Sequence, residues 1–148
     1  MAGTKNQKIA LLSVHPQFAS RIMSGEKRIE FRKVNFAEKV THVVVYATAP
    51  VGKILGYFEV ESVDVDKVNI LWSRYSSDGG ISKNAFFEYF GDSRKGVAIG
   101  VGNTFVCSKP MNLSNLSKST TPPQNFIYLE KTQFDRIRKC STSTSRAP

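Results

Sequence analysis

The eight residues Gly25-Glu26-Lys27-Arg28-Ile29-Glu30-Phe31-Arg32 hold two acids and three bases, and they do so within a strand's pattern. From Arg28 to Lys33 the side chains alternate, with Ile29 and Phe31 on one side and Arg28, Glu30 and Arg32 on the other. A chain that alternates in this way must bury one face of the strand, and it then holds the charges of the other face on a rigid element. A binding site is built in that manner.

The flanking sequence supplies short elements of both kinds. Ile9 to Val14 reads as a buried strand, Pro16 sits at a first helical position with His15 as its cap, and Phe18, Ala19, Ile22 and Met23 share one helical face up to a left-handed stop at Gly25. Val43 to Ala47 is β-branched and continuous, as a strand buried on both faces is. In Ile54 to Val63 the residues Ile54, Phe58 and Val60 face one way and Tyr57, Glu59 and Glu61 the other, which predicts one wet face. Asp66 is placed to cap a helix carrying Val68, Leu71, Trp72 and Tyr75; after the loop Ser76 to Gly80, Ser82 caps a second with Phe86, Phe87 and Phe90, closed by Gly91. Val97 to Val106 reads as a strand whose Ala98, Gly100 and Gly102 face admits a close neighbour, either a packed helix or, less commonly, a flat ligand. Phe126 to Leu129 is a last strand and Glu130 to Lys139 one more helix, whereas Cys140 to Pro148 is too polar to pack.

About six short strands, joined by loops or helices and not by two-residue hairpins, predict an α+β fold: a small, mostly β barrel with short helices outside it. The chain has 148 residues, 41% of them hydrophobic, which suits one core and one domain. The expected division is a flexible N-terminus over 1–8, the domain over 9–130 and a basic, partly disordered tail over 131–148.

A formal charge of +9 draws polyanions such as nucleic acid. Basic residues gather early (Lys5, Lys8, Arg21, Lys27, Arg28, Arg32, Lys33, Lys39) and late (Lys131, Arg136, Arg138, Lys139, Arg146); beside one cleft they would make a phosphate track. Cys107 and Cys140 are too few for a zinc site or a disulfide framework, and nothing in the sequence calls for a metal or another cofactor. No apolar run is long enough to span a bilayer and no secretory signal or lipidation motif is present, so a cytoplasmic, monomeric protein without membrane attachment is expected.

Ser13-Val14-His15-Pro16-Gln17-Phe18, Ile22-Met23-Ser24-Gly25-Glu26-Lys27, Glu30-Phe31-Arg32 and the distal Pro122-Pro123-Gln124-Asn125-Phe126 together resemble the ASCH domain, a branch of the PUA-like superfamily. The resemblance runs from about Ile9 to about Leu129. It implies a small barrel with flanking helices and a basic cleft that holds Lys27, Glu30 and Arg32. It also implies a ligand that is single-stranded RNA or a nucleotide, a modified base included, and in some members an enzymatic activity on RNA or on modified cytidine. The acetylcytidine amidohydrolases of this kind use a lysine matching Lys27, a threonine where this chain has Glu30, and a glutamate that would fall near Ser76 to Gly80. Only Asp78 stands near that third place, which tells against that particular activity.

The residues themselves support recognition of a base. Glu30 and Arg32 lie two apart on a strand, about 7 Å, and offer an acceptor beside donors, the complement of a nucleobase edge. An ordinary surface ion pair across the strand is the plainer alternative. Strand parity sends Lys27 toward the core unless the strand begins after it; pointed into a cleft, a partly desolvated amine would serve as base or nucleophile, with Glu30 as its catalytic partner if the protein is an enzyme. His15, capping a helix, could help hold a phosphate, and Tyr57 and Tyr128 are candidates for stacking on bases. Ser82 is a hydroxyl that could assist cleavage of RNA. Three readings follow: an RNA- or nucleotide-binding module, a hydrolase acting on RNA or a modified nucleoside, and a protein-interaction module in transcription.

Overall fold

The computed structural model describes residues 7–118 and 120–143. Of the expected flexible N-terminus only Gln7 and Lys8 fall within these residues, and the Lys8 N–H donates to Thr41 Oγ1 at 3.0 Å; Lys5 and Arg146 lie outside them. In chain order the elements are β1 (Ile9–Val14), α1 (Pro16–Ser24), β2 (Ile29–Arg32), β3 (His42–Ala47), β4 (Lys53–Lys67), α2 (Val68–Tyr75), α3 (Lys83–Phe90), β5 (Lys95–Met111), a 3-10 turn (Leu113–Asn115), β6 (Phe126–Leu129), α4 (Lys131–Lys139) and β7 (Ser141–Ser143). The α+β class is as expected. No helix of the described residues is long and apolar enough to cross a membrane.

The strands form one sheet in the order β2-β5-β4-β3-β1-β6, with β7 paired to β5 beside β2. β1 and β3 are parallel, and the other pairs are antiparallel. The expected barrel does not close: no ladder joins β2 to β6. What spans the gap is a side chain. Arg32, at the end of β2, donates from Nη1 to the Ser13 carbonyl of β1 at 3.1 Å and from Nη2 to the Asn125 carbonyl just before β6 at 3.4 Å.

Three apolar layers follow from the alternation. Ala10, Leu12, Val43, Val45, Phe58, Val97 and Ile99 pack with Ala19, Ile22 and Met23 of α1 on one face. Leu11, Val44 and Tyr57 pack on the other face under Leu113, Phe134 and Ile137. Ile29 and Phe31 meet α2 and α3 through Val68, Leu71, Phe86 and Phe90. Val43, Val44 and Val45 are fully buried, as a strand covered on both sides must be.

Several expectations are corrected here. β4 and β5 run further than the sequence predicts, to Lys67 and Met111, because Val63 to Lys67 pair with Ile99 to Lys95 at one end of the ladder and Ile54 pairs with Met111 at the other. Asp66 therefore lies in the strand and Lys67 takes the cap position of α2. The small-residue face of β5 answers to packing, but by strand β4 and not by a helix: a side chain at Gly100 would strike Ser62, and one at Gly102 the Glu59 carbonyl. The division at residue 130 does not coincide with a break in packing, since α4 buries Phe134 and Ile137 completely. Nor is the segment after Cys140 wholly unpacked, because Ser141–Ser143 pairs with Cys107–Phe105; residues 144–148 lie outside the described residues.

Candidate functional site

β2 begins at Ile29, so Lys27 precedes it and escapes the strand's parity. Gly25, with φ of 87°, turns the chain out of α1, and the Lys27 N–H then donates back to the Arg21 carbonyl at 2.9 Å. This turn carries the Lys27 side chain to the same side as Glu30. The loop before α3 closes behind it: the Asp78 carbonyl accepts from the N–H groups of Arg28 and Ile29, the Gly79 carbonyl from Lys27 Nζ, and the Gly80 carbonyl from Arg21 Nη1. Gly80 has φ of 58°, and a side chain there would come within 2.9 Å of Lys27 Cβ, so glycine is required for the lysine to lie where it does.

Lys27 is 2% exposed and Glu30 5%, and the two are charged partners of one cluster. Lys27 Nζ lies 3.8 Å from Glu30 Oε1, and Arg32 Nη1 lies 3.1 Å from Glu30 Oε2. Lys27 Nζ also sits 5.3 Å from the ring centres of both Phe18 and Phe31, a cation held between aromatic faces. Burial pushes the Lys27 amine below its ordinary value; the charge of Glu30 opposes this and that of Arg21 adds to it.

These side chains floor a cavity of about 560 Å³. Its walls come from the end of β1 and the start of α1 (Ser13, His15, Gln17, Phe18), from α3 (Ala85, Glu88, Tyr89) and from Pro123 to Asn125. The plainer alternative of a surface ion pair does not hold, since Lys27 and Glu30 are buried with Arg32 half-buried beside them, and the expected basic cleft is not strongly basic: Lys27 and Arg32 face Glu30 and Glu88.

Four of the seven expected site residues meet at this cavity: His15, Lys27, Glu30 and Arg32. His15 holds the cap position of α1, but its ring makes no capping hydrogen bond. The other three are elsewhere. Tyr57 is 7% exposed under α4, its ring stacked on Phe105 at 4.6 Å, because α4 covers the face that alternation predicts to be wet. The Tyr128 hydroxyl accepts from the Ala37 and Glu38 N–H groups and so anchors a loop. Ser82 caps α3, accepting from the Ala85 N–H at 3.1 Å, and does not line the cavity. Asp78 is exposed and works through its backbone. Of the late basic residues, Lys131, Arg136, Arg138 and Lys139 do not line the cavity.

Phe18 and Tyr89 are wall residues that sequence reasoning placed in the core or passed over. A signal existed for Tyr89: Ala85, Glu88 and Tyr89 are spaced to share one face of α3, apart from the buried Phe86 and Phe90. Among the described residues no three or more His, Cys, Asp or Glu side chains gather as a metal site.

Residues 12–93 match the ASCH domain. An ASCH domain-containing ribonuclease of Zymomonas mobilis is 30% identical over 141 residues, covering 93% of this chain and 95% of that protein. The crystal structure of ASCH from Zymomonas mobilis superposes with a TM-score of 0.83 at 27% identity, covering 95% of this chain and 100% of the other. The N-terminal domain of Staphylothermus marinus McrB shares the fold, with a TM-score of 0.57 at 9% identity over 88% of this chain and 93% of that one. With the motif at Lys27 to Arg32 placed in its cavity and the match running through most of its length, the chain belongs to the ASCH domain family.

Proposed function

We propose that this protein binds single-stranded RNA and seats one nucleobase, plain or modified, in the cavity above Lys27, Glu30 and Arg32. The observation that carries this reading is the cation-carboxylate-cation row on the cavity floor, in which Lys27 and Glu30 are buried and Arg32 is half-buried. Burying the Lys27 and Glu30 charges is costly, and a fold that needed only stability would be served as well by apolar side chains of similar size. As a recognition surface the row is apt: a carboxylate accepts from an exocyclic amine, while flanking N–H groups donate to ring nitrogen or carbonyl oxygen. Phe18 and Tyr89 supply apolar walls, and about 560 Å³ lies in the range of pockets that enclose a small ligand. Because the lining charges balance, the cavity favours a polar, uncharged heterocycle over a bare phosphate.

Glu30→Gln tests this directly. It keeps the shape but replaces an acceptor pair by one acceptor and an amide, so nucleoside and short-oligonucleotide affinity should fall by about tenfold to a hundredfold, the worth of about 1–3 kcal/mol in a base contact. Unchanged affinity in a fluorescence titration would refute the assignment of the base to this cavity.

A second reading, cleavage of RNA, is favoured by the Zymomonas relative, which is named a ribonuclease and aligns over nearly the whole chain. Here the neutral Lys27 amine, its pKa lowered by burial, would take the proton from a 2′-hydroxyl as that oxygen attacks the adjacent phosphorus and the bond to the 5′-oxygen breaks, the 5′-oxygen leaving as a hydroxyl with a proton from water and the phosphate closing as a 2′,3′-cyclic ester. RNA cleavage by the wild-type protein that persists in Lys27→Met would exclude this role.

A further inference from the structure

The charges lining the cavity cancel, so the excess of positive charge carried by the described residues lies outside it. Part of that excess is concentrated by the fold. Residues 93–129 contain no Asp or Glu at all, and the second half of this stretch folds back onto α4. The Ser108 N–H and hydroxyl both donate to the Cys140 carbonyl, at 2.9 and 3.3 Å. Arg136 Nη1 donates to the carbonyls of Asn115 and Leu116, each at 3.0 Å. Ser108 is followed by Lys109 and Cys140 is preceded by Lys139, while Lys118 follows Leu116 by two residues; the contacts therefore set Lys109 near Lys139 and Lys118 near Arg136. All four are exposed. Arg136 and Lys139 are separated by about 4.5 Å of helix rise. The acid on this part of α4, Asp135, is engaged by Arg138 at 3.7 Å.

We infer that this α4 face is a second RNA-binding surface, one that holds the phosphodiester backbone, and that the protein uses it together with the cavity: backbone on one surface, base in the other. The inference rests on the RNA reading given above. Several exposed cations spread over the last turns of α4, the end of β5 and one adjoining loop, without a buried polar pocket, suit a chain of phosphates better than a single small anion. None of the four lines the cavity, so affinity for long RNA and affinity for a nucleoside are separable properties.

The test is the triple variant Lys109→Glu, Lys118→Glu, Lys139→Glu, with the triple glutamine variant beside it, titrated with a labelled single-stranded RNA of about twenty nucleotides and with free nucleosides. The glutamate variant should bind the long RNA at least about tenfold more weakly at low salt. In the glutamine variant the slope of log affinity against log salt should lessen by about two, as expected for three lost phosphate contacts at about 0.7 each. Nucleoside affinity should be unchanged in both. Long-RNA affinity and salt slope equal to those of the wild type in both variants would overturn the inference, as would wild-type protein captured by phosphatidylserine vesicles that twenty-nucleotide RNA fails to displace. Glu30→Gln separates this from the base-binding reading. If that variant keeps its nucleoside affinity the cavity assignment fails, and the α4 surface is judged by the salt slope alone.

Discussion

Lys27 is the residue at which packing and chemistry part company. Its stem lies among Phe18, Phe31 and Gly80, contacts that any unbranched apolar side chain would make, yet it ends in an amine that burial disfavours. Lys27→Met keeps the stem and removes the ammonium, leaving Glu30 with Arg32 at 3.1 Å. Relief of desolvation offsets the hydrogen bond lost at the Gly79 carbonyl, itself worth about 1–3 kcal/mol. Unfolding stability should stay within about 2 kcal/mol of the wild type while RNA affinity or turnover falls at least tenfold. A loss above about 4 kcal/mol would mark Lys27 as structural. Glu30 and Arg32 were legible from alternation alone, because Ile29 and Phe31 had to be buried. Lys27 was not, since its direction depends on where the strand begins, and Gly25 and the turn at Arg21 decide that.

At the level of elements, α4 shows how burial is settled by what arrives from far along the chain. Tyr57 alternates with Phe58 as the sequence says, but Phe134 lies against its ring at 4.9 Å and turns an expected wet face into a core. No local pattern in β4 announces that cover. Phe134→Ala, which removes a fully buried aromatic from α4, should cost about 3–5 kcal/mol by urea denaturation, and a chain cut after residue 130 should fail to give a cooperative transition. An independent domain ending at 130 would give the opposite result. The positions of the helices were readable, because Gly25, Ser82 and Gly91 carry turn and cap chemistry that operates over three or four residues. The topology was not, because the parallel pairing of β1 with β3 and the failure of β2 to meet β6 are long-range facts.

For the molecule as a whole, pH acts through His42, which packs beside Tyr57 and Phe134 on the face that α4 covers. Burial depresses its pKa, with Glu59 opposing and Arg138 adding to the effect. The unfolded chain takes up a proton near pH 6.5 that the folded chain resists, so stability is full above that pH and declines as pH falls below it, by at most about 1.4 kcal/mol per unit for one proton. Urea midpoints at pH 7.5 and 5.5 should show the decline, and His42→Phe should reduce it.

One guanidinium does the work that a row of backbone hydrogen bonds does in a closed barrel. The Arg32 side chain reaches from one margin of the sheet to the other and also braces the carboxylate on the cavity floor. An occupant that recruits the same N–H groups must draw them away from Ser13 and Asn125. For the proposed base, filling the pocket in this way and loosening the sheet's rim would be a single event, and the strength of binding would be tied to the latch that gives the domain its shape.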